Sequence, residues 1–278
     1  MTTMTVVAPS KLRLWRTVGQ AYAVWARNFP DLIRTVWPWM LLTAPVLALF
    51  SWWEEPHLME TMQAASAGRP FADPAPLLAL VSQIVGQLIL LPALASVAVA
   101  WHRLLLRDEH PGPGVYLRLD RIVVGYAILA FWIGVITLAP GYVSMMFQIV
   151  TGTSATMGDV AALVIQTLAR LISIIAFFIV ARLSLVLPGW ALGRDDVGFG
   201  AAWKVSKRNT WRMFWAYFFC IFPGAAIIGG ISLWLLLPHS RATGTLALLV
   251  MNLLWIPVGM ISVGVLSLAY RHFFERSL

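Results

Sequence analysis

The chain has 278 residues, of which 60% are hydrophobic and 12% charged, about half the charged share of an ordinary soluble domain; a water-soluble fold of this length cannot hide that much apolar surface, so its solvent is lipid. A net charge of +8 would point to nucleic acid in a soluble protein, but here the cations flank apolar stretches and no basic, aromatic module stands outside them. Nucleic acid is therefore excluded, and the charge reads as orientation in a membrane and affinity for anionic headgroups.

The N-terminal residues carry Lys11, Arg13 and Arg16 without the apolar core and small-residue cleavage site of a secretory signal, so the first helix is expected to be kept. Across 11–35, Leu14, Val18, Tyr22, Trp25, Phe29, Leu32 and Val36 recur every three or four residues. That spacing predicts an amphipathic helix lying in the membrane interface, apolar side down, running into a first span. This span, 36–53, contains Pro38 and Pro45 and is short alone. Glu54, Glu55, His57, Glu60 and Asp73 follow as an outward-facing acidic loop whose spacing matches no metal-ligand pattern. Further apolar stretches at 77–101, 122–150, 160–187, 211–237 and 246–270 each suffice to cross a hydrocarbon core of about 30 Å at about 1.5 Å per residue. Cys220, the single cysteine, lies in the fifth of the six spans; it has no partner for a disulfide and reads as a small core residue.

The connections give orientation. Segments 1–35, 102–121, 182–212 and 271–278 hold 17 Lys and Arg, whereas the opposite side holds only Arg69 and Arg241. This asymmetry predicts a multi-pass protein of a bacterial inner (plasma) membrane with both termini cytoplasmic. The expected fold is all-α: one transmembrane domain over 1–278, six transmembrane helices as three hairpins, with cytoplasmic interfacial helices. The hairpins read as internal repeats over 11–110, 111–194 and 195–278. Each odd span has a Trp eight residues before a Pro (Trp37 and Pro45, Trp132 and Pro140, Trp215 and Pro223), with a further Trp twelve residues earlier at Trp25 and Trp203. Each even span ends in Ala and then Arg: Ala100 and Arg103, Ala181 and Arg182, Ala269 and Arg271.

Six cations are candidate contacts for an anionic lipid or ligand: Arg170, Arg182, Lys204, Lys207, Arg208 and Arg212. A charge inside a span costs at least about 2.5 kcal/mol on insertion scales, and Arg170 sits twelve residues before Arg182. Either it meets an anionic lipid or substrate in a polar cavity, or the fourth span starts later and Arg170 is an anchor at the outer interface. Lys204, Lys207, Arg208 and Arg212 recur at helical spacing among Ala202, Val205, Trp211 and Phe214, an amphipathic design suited to headgroups or, more plainly, to orientation and anchoring. His102, His110 and His272 are spread over different segments and read as interfacial, and Asp195 or Asp196 could cap the next helix. No phosphate loop, HExxH, CxxC or GxSxG is present, so no catalytic residue, metal or cofactor is expected.

The most distinctive stretch is Ala-Arg-Leu-Ser-Leu-Val-Leu-Pro-Gly-Trp-Ala-Leu-Gly-Arg over 181–194, followed by Gly-Ala-Ala-Trp-Lys-Val-Ser-Lys-Arg-Asn over 200–209. It resembles a group of bacterial six-helix membrane proteins, the membrane portion attached to some glycerophosphodiester phosphodiesterases and the YciC-type inner-membrane proteins. With the phosphodiesterase domain missing, the resemblance implies a lipid-embedded accessory module without catalytic residues. The expected role is a non-enzymatic lipid-interacting accessory or scaffold protein, with membrane lipids and a membrane protein as partners; the alternative is a transporter or channel for a small anionic or amphipathic solute.

Overall fold

A computed structural model describes residues 11–66, 75–112, 114–151, 160–194, 196–234 and 240–275. The chain is helical throughout, with no strand among the described residues. The elements are α1 (Leu14–Arg27), α2 (Phe29–Ser66), α3 (Ala75–Arg107), α4 (Arg121–Thr151), α5 (Val160–Leu183), α6 (Val186–Ala191), α7 (Phe199–Ser206), α8 (Thr210–Trp234) and α9 (Arg241–Tyr270), which ends in a π turn, Arg271–Glu275. Six stretches are long and apolar enough to cross a membrane, on α2, α3, α4, α5 with α6, α8 and α9, and the chain is a multi-pass membrane protein. The long helices pack as hairpins α2 with α3, α4 with α5 and α8 with α9; α3 on α4, α5 on α8 and α9 on α2 close the ring, and α3 meets α9 inside it. One end of the ring carries α1, α6, α7 and the 108–120 connection, and forms a collar.

Four boundaries differ from the sequence reading. The amphipathic stretch 11–35 is two helices. Pro30 has no N–H to extend the α1 ladder, and Asn28 ends α1 with its backbone N–H and its Nδ2 both donating to Val24 O (3.0 and 2.9 Å). The apolar stripe of α1 then faces protein rather than lipid, because α1 lies in the groove between α8 and α9.

The first span is longer than 36–53, and Glu54, Glu55, His57 and Glu60 stand on helix α2 rather than in a solvated loop. Glu55 is buried, so the apolar helix does contain acids. Pro56 cannot donate to Trp52 O four residues earlier, but Arg241 does so (2.8 Å) and lies over the Trp52 ring, which lets α2 continue. Similarly, Pro223 frees Phe219 O in α8, and the Tyr22 hydroxyl of α1 donates to it (2.9 Å). A helix in lipid tolerates proline where a neighbour satisfies the freed carbonyl.

The fourth stretch, 160–187, breaks after Leu183. Pro188 lacks the N–H that would reach Ser184 O, and Leu187 N donates there instead (2.9 Å). Finally, the basic amphipathic stretch from Ala202 to Phe214 divides at Lys207–Asn209 into α7 and α8. Asp196 does not cap α7; its carboxylate pairs with Arg194 (2.7 Å), and Gly198 stands at the cap without a side-chain bond. Arg69, Asp73, Thr153, Asp195 and the end of the 211–237 stretch lie outside the described residues.

Candidate functional site

The collar is built by arginines that donate to helix-terminal carbonyls. The short helix α6 ends at Gly193, whose φ of +70° suits glycine. Arg194 N donates to Gly189 O and Gly193 N to Trp190 O (both 2.9 Å), the paired bonds of a Schellman cap. Two further carbonyls there are taken from α3: Arg103 Nε donates to Ala191 O (2.9 Å) and Arg107 to Leu192 O (2.6 Å). On the other side, Trp190 donates Nε1 to Ile122 O (3.0 Å) in the first turn of α4. Its ring occupies the space above Gly125, where a Cβ would come within 2.3 Å.

Arg182, at the end of α5, is buried. Its guanidinium lies 3.4 Å from the Trp203 ring centroid, Nε donates to Ser206 Oγ (3.0 Å), and Nη2 donates to Trp203 O. Those bonds fasten α7 to α5. Arg212 donates to Leu12 O (2.9 Å), while Leu12 N donates to Asn209 Oδ1 (2.8 Å). Leu12, two residues before α1, is thus held by both backbone groups against the start of α8. Arg182 and Arg212 are therefore committed to protein groups.

Lys204, Lys207 and Arg208 are exposed, and so are Lys11, Arg13 and Arg16 beside the Leu12 clamp. Among the described residues none of these six side chains has an ion pair or hydrogen bond. Acids are no longer free to neutralise them. Asp31 is held by Arg34 and His110, Asp108 by His110, Glu109 by Arg103 and Arg107, Asp120 by Arg118 and Asp196 by Arg194. Asp120 also accepts from Ile122 N and Val123 N (3.1 and 3.0 Å), capping α4. Although partial burial raises its carboxyl, these bonds and Arg118 outweigh that and hold it below the usual range.

Below the exposed cations runs an aromatic face that the sequence reading saw only at Trp211 and Phe214. Phe178 of α5 stacks on Trp211 and Phe214 (interplanar 9° and 14°). Trp215, Phe218, Phe219 and Phe222 continue down α8, each ring within 6.4 Å of another. Trp15 of α1 joins at Phe219 (4.9 Å). Trp15 and Trp211 are 68% and 60% exposed, unusual for indoles unless lipid covers them. The density of rings over 211–222 was the available signal.

The other expected residues fall elsewhere. Arg170 is exposed on the surface of α5 among exposed Leu168, Leu171, Ile172 and Ile174, with no polar partner among the described residues. Twelve residues separate it from Arg182, about 18 Å of helix. His102 is not interfacial but wholly buried between α3, α4 and α9. Ser267 Oγ donates to Val263 O (3.1 Å), so it accepts from His102 Nδ1 (2.8 Å); Nε2 then accepts from the Tyr126 hydroxyl (3.1 Å). The ring is consumed by these bonds and ties three helices together. Cys220 is buried against Val18, Ala21 and Val265 as a core residue. No group of three or more His, Cys, Asp or Glu that could hold a metal exists among the described residues. An open depression of about 410 Å³ between α2 and the 108–120 connection is lined by Arg34, Trp37, Pro111, Gly114 and Val115, and its one cation is paired with Asp31. Compared with known proteins, the chain matches no protein-family model, no curated protein and no solved structure.

Proposed function

We propose that this is a non-enzymatic inner-membrane protein, both termini cytoplasmic, that engages anionic lipid headgroups at its collar and acts as an accessory or scaffold module for lipids or a partner membrane protein. The observation that carries the reading is the division of charge in the collar. Lys11, Arg13, Arg16, Lys204, Lys207 and Arg208 are exposed without partners among the described residues, while Asp31, Asp108, Glu109, Asp120 and Asp196 at the same end are paired elsewhere. Unpaired Lys and Arg above exposed Trp are what an anionic headgroup region attracts, at about 1 kcal/mol per cation. The excess of cations on this side supports a cytoplasmic collar. The resemblance of 181–209 to membrane modules of accessory type supports the absence of catalysis.

Mass spectrometry of the protein extracted in native lipid discs tests the reading. Anionic lipids are expected to be enriched over the surrounding membrane, and the enrichment should fall in Lys204→Gln/Lys207→Gln/Arg208→Gln without loss of folded protein. A lipid shell of bulk composition would overturn it. So would uptake of a small anion into protein-containing vesicles that Arg170→Ala abolishes, which is the transporter outcome.

A further inference from the structure

We infer that the α1–α8 junction is a binding site for one phospholipid whose headgroup carries two phosphates, bridged between two separate cation groups. The inference rests on the headgroup reading above and names the lipid class. Its basis is the clamp on Leu12. Asn209 and Arg212 grip the N–H and C=O of that one residue, so Lys11 and Arg13 lie one residue step, about 3.8 Å, on either side of the point of contact. Lys207 and Arg208 immediately precede Asn209 on the opposing strand of the contact. Two cation pairs distant in sequence are thus fixed at the two sides of one hydrogen-bonded joint. Among the described residues no acid is bonded to either pair, and the amide of Asn209 and the guanidinium of Arg212 are already engaged with Leu12.

A headgroup with a single phosphate diester brings one negative charge and can satisfy one pair. A headgroup with two joined phosphates brings two, at a spacing fixed by its own linker, and can answer both pairs together. Binding the second phosphate is then intramolecular and gains from effective concentration. The lipid nature of the occupant follows from the surface directly below. Trp15 from the α1 side and Trp211 from the α8 side are the most exposed rings of the aromatic face, and Phe219 and Trp215 link them. The site thus offers cations at headgroup level and flat rings at the level of the glycerol and upper acyl chains, on both elements that supply the cations. A soluble diphosphate would use the first and leave the second idle.

The experiment measures the lipid retained by full-length protein extracted in detergent from vesicles of phosphatidylethanolamine doped with either phosphatidylglycerol or cardiolipin at equal total charge. The variants are Lys11→Gln/Arg13→Gln, Lys207→Gln/Arg208→Gln and the combination, with Arg121→Gln as an exposed cation outside the junction. Cardiolipin should be retained more tightly than phosphatidylglycerol at matched charge. Each double variant should lose about thirtyfold for cardiolipin, and the combination should lose less than the product of the two, because either half alone already breaks the bridge. Arg121→Gln should change nothing. Equal retention of the two lipids, or strictly multiplicative losses, would overturn the two-phosphate site while leaving the general headgroup reading in place. No preference for either over phosphatidylethanolamine would overturn both. Displacement of bound cardiolipin by equimolar inorganic pyrophosphate would overturn the lipid assignment.

Discussion

The two halves of the collar use the same residue types in opposite ways. On the α3–α4–α6 side, Arg103 and Arg107 donate to carbonyls at the end of α6, both also pair with Glu109, and Arg118 meets Asp120. On the α1–α7–α8 side, Arg182 and Arg212 do similar work, but a second layer of cations has no partner among the described residues. A cation that satisfies orphaned carbonyls is explained by the fold. A cation layer left over after those carbonyls and acids are accounted for is what the proposed headgroup contact would use. On that proposal, side-chain pairing separates the two kinds of basic residue more cleanly than position in the sequence does.

The comparison breaks most directly at Arg182. Arg182→Ala removes a stacked guanidinium and leaves Trp203 O and Ser206 short of a charged donor, which should cost about 3 kcal/mol. Lys204→Ala, at the exposed residue next to Trp203, should stay within about 0.5 kcal/mol. Thermal unfolding in detergent, read by tryptophan fluorescence, measures both; equal effects would erase the distinction between spent and free cations. A smaller effect is expected on the paired side from Gly125→Ala. The new Cβ would come within 2.3 Å of the Trp190 ring, which cannot move away without straining its bond to Ile122 O. A loss of about 1 to 3 kcal/mol with a red shift of Trp190 emission is the expected outcome, and unchanged emission would show that the α6–α4 seam is looser than the structure has it.

The membrane class and the six apolar stretches were legible because they depend on sums over about twenty residues. Helix ends were not, and the reason is specific. Pro56 in isolation reads as a stop, and only Arg241, nearly two hundred residues on, makes it passable by donating to Trp52 O. The α1 stripe was read correctly as one face, yet periodicity does not tell lipid from the α8–α9 groove as its counterpart. The distinctive 181–209 stretch was recognisable in sequence but not its meaning: Arg182, Trp190, Gly193 and Trp203 each turn out to close a helix end or pack against a neighbour. For the candidate site, Lys204, Lys207 and Arg208 were visible as a basic cluster. Their alliance with Lys11 and Arg13 was not, since it depends on two hydrogen bonds to the backbone of Leu12.

The finest distinction between the halves is their response to pH. His110 accepts its environment from Asp31 first, whose carboxylate takes a ring N–H (2.8 Å), and then from the charges of Asp31 and Asp108; together these outweigh slight desolvation and raise the imidazole above its ordinary value of 6.5. A raised folded value means the tie between α2 and the 108–120 connection is complete below about pH 6.5 and is lost as pH rises through the higher folded value. The residue is fully exposed, so the effect is local. A cysteine placed at Val115 should be modified more slowly at pH 6 than at pH 8 after correction for its own thiolate fraction, and His110→Ala should remove that difference. The α1–α8 side presents no histidine among the described residues of α1, α7 and α8, and phosphodiester headgroups keep their charge across this range. Lipid retention should therefore be flat between pH 6 and 8 while the accessibility of Val115 changes. Retention that followed the His110 titration would mean that the two halves of the collar are mechanically coupled, and that the paired side sets the geometry of the unpaired one.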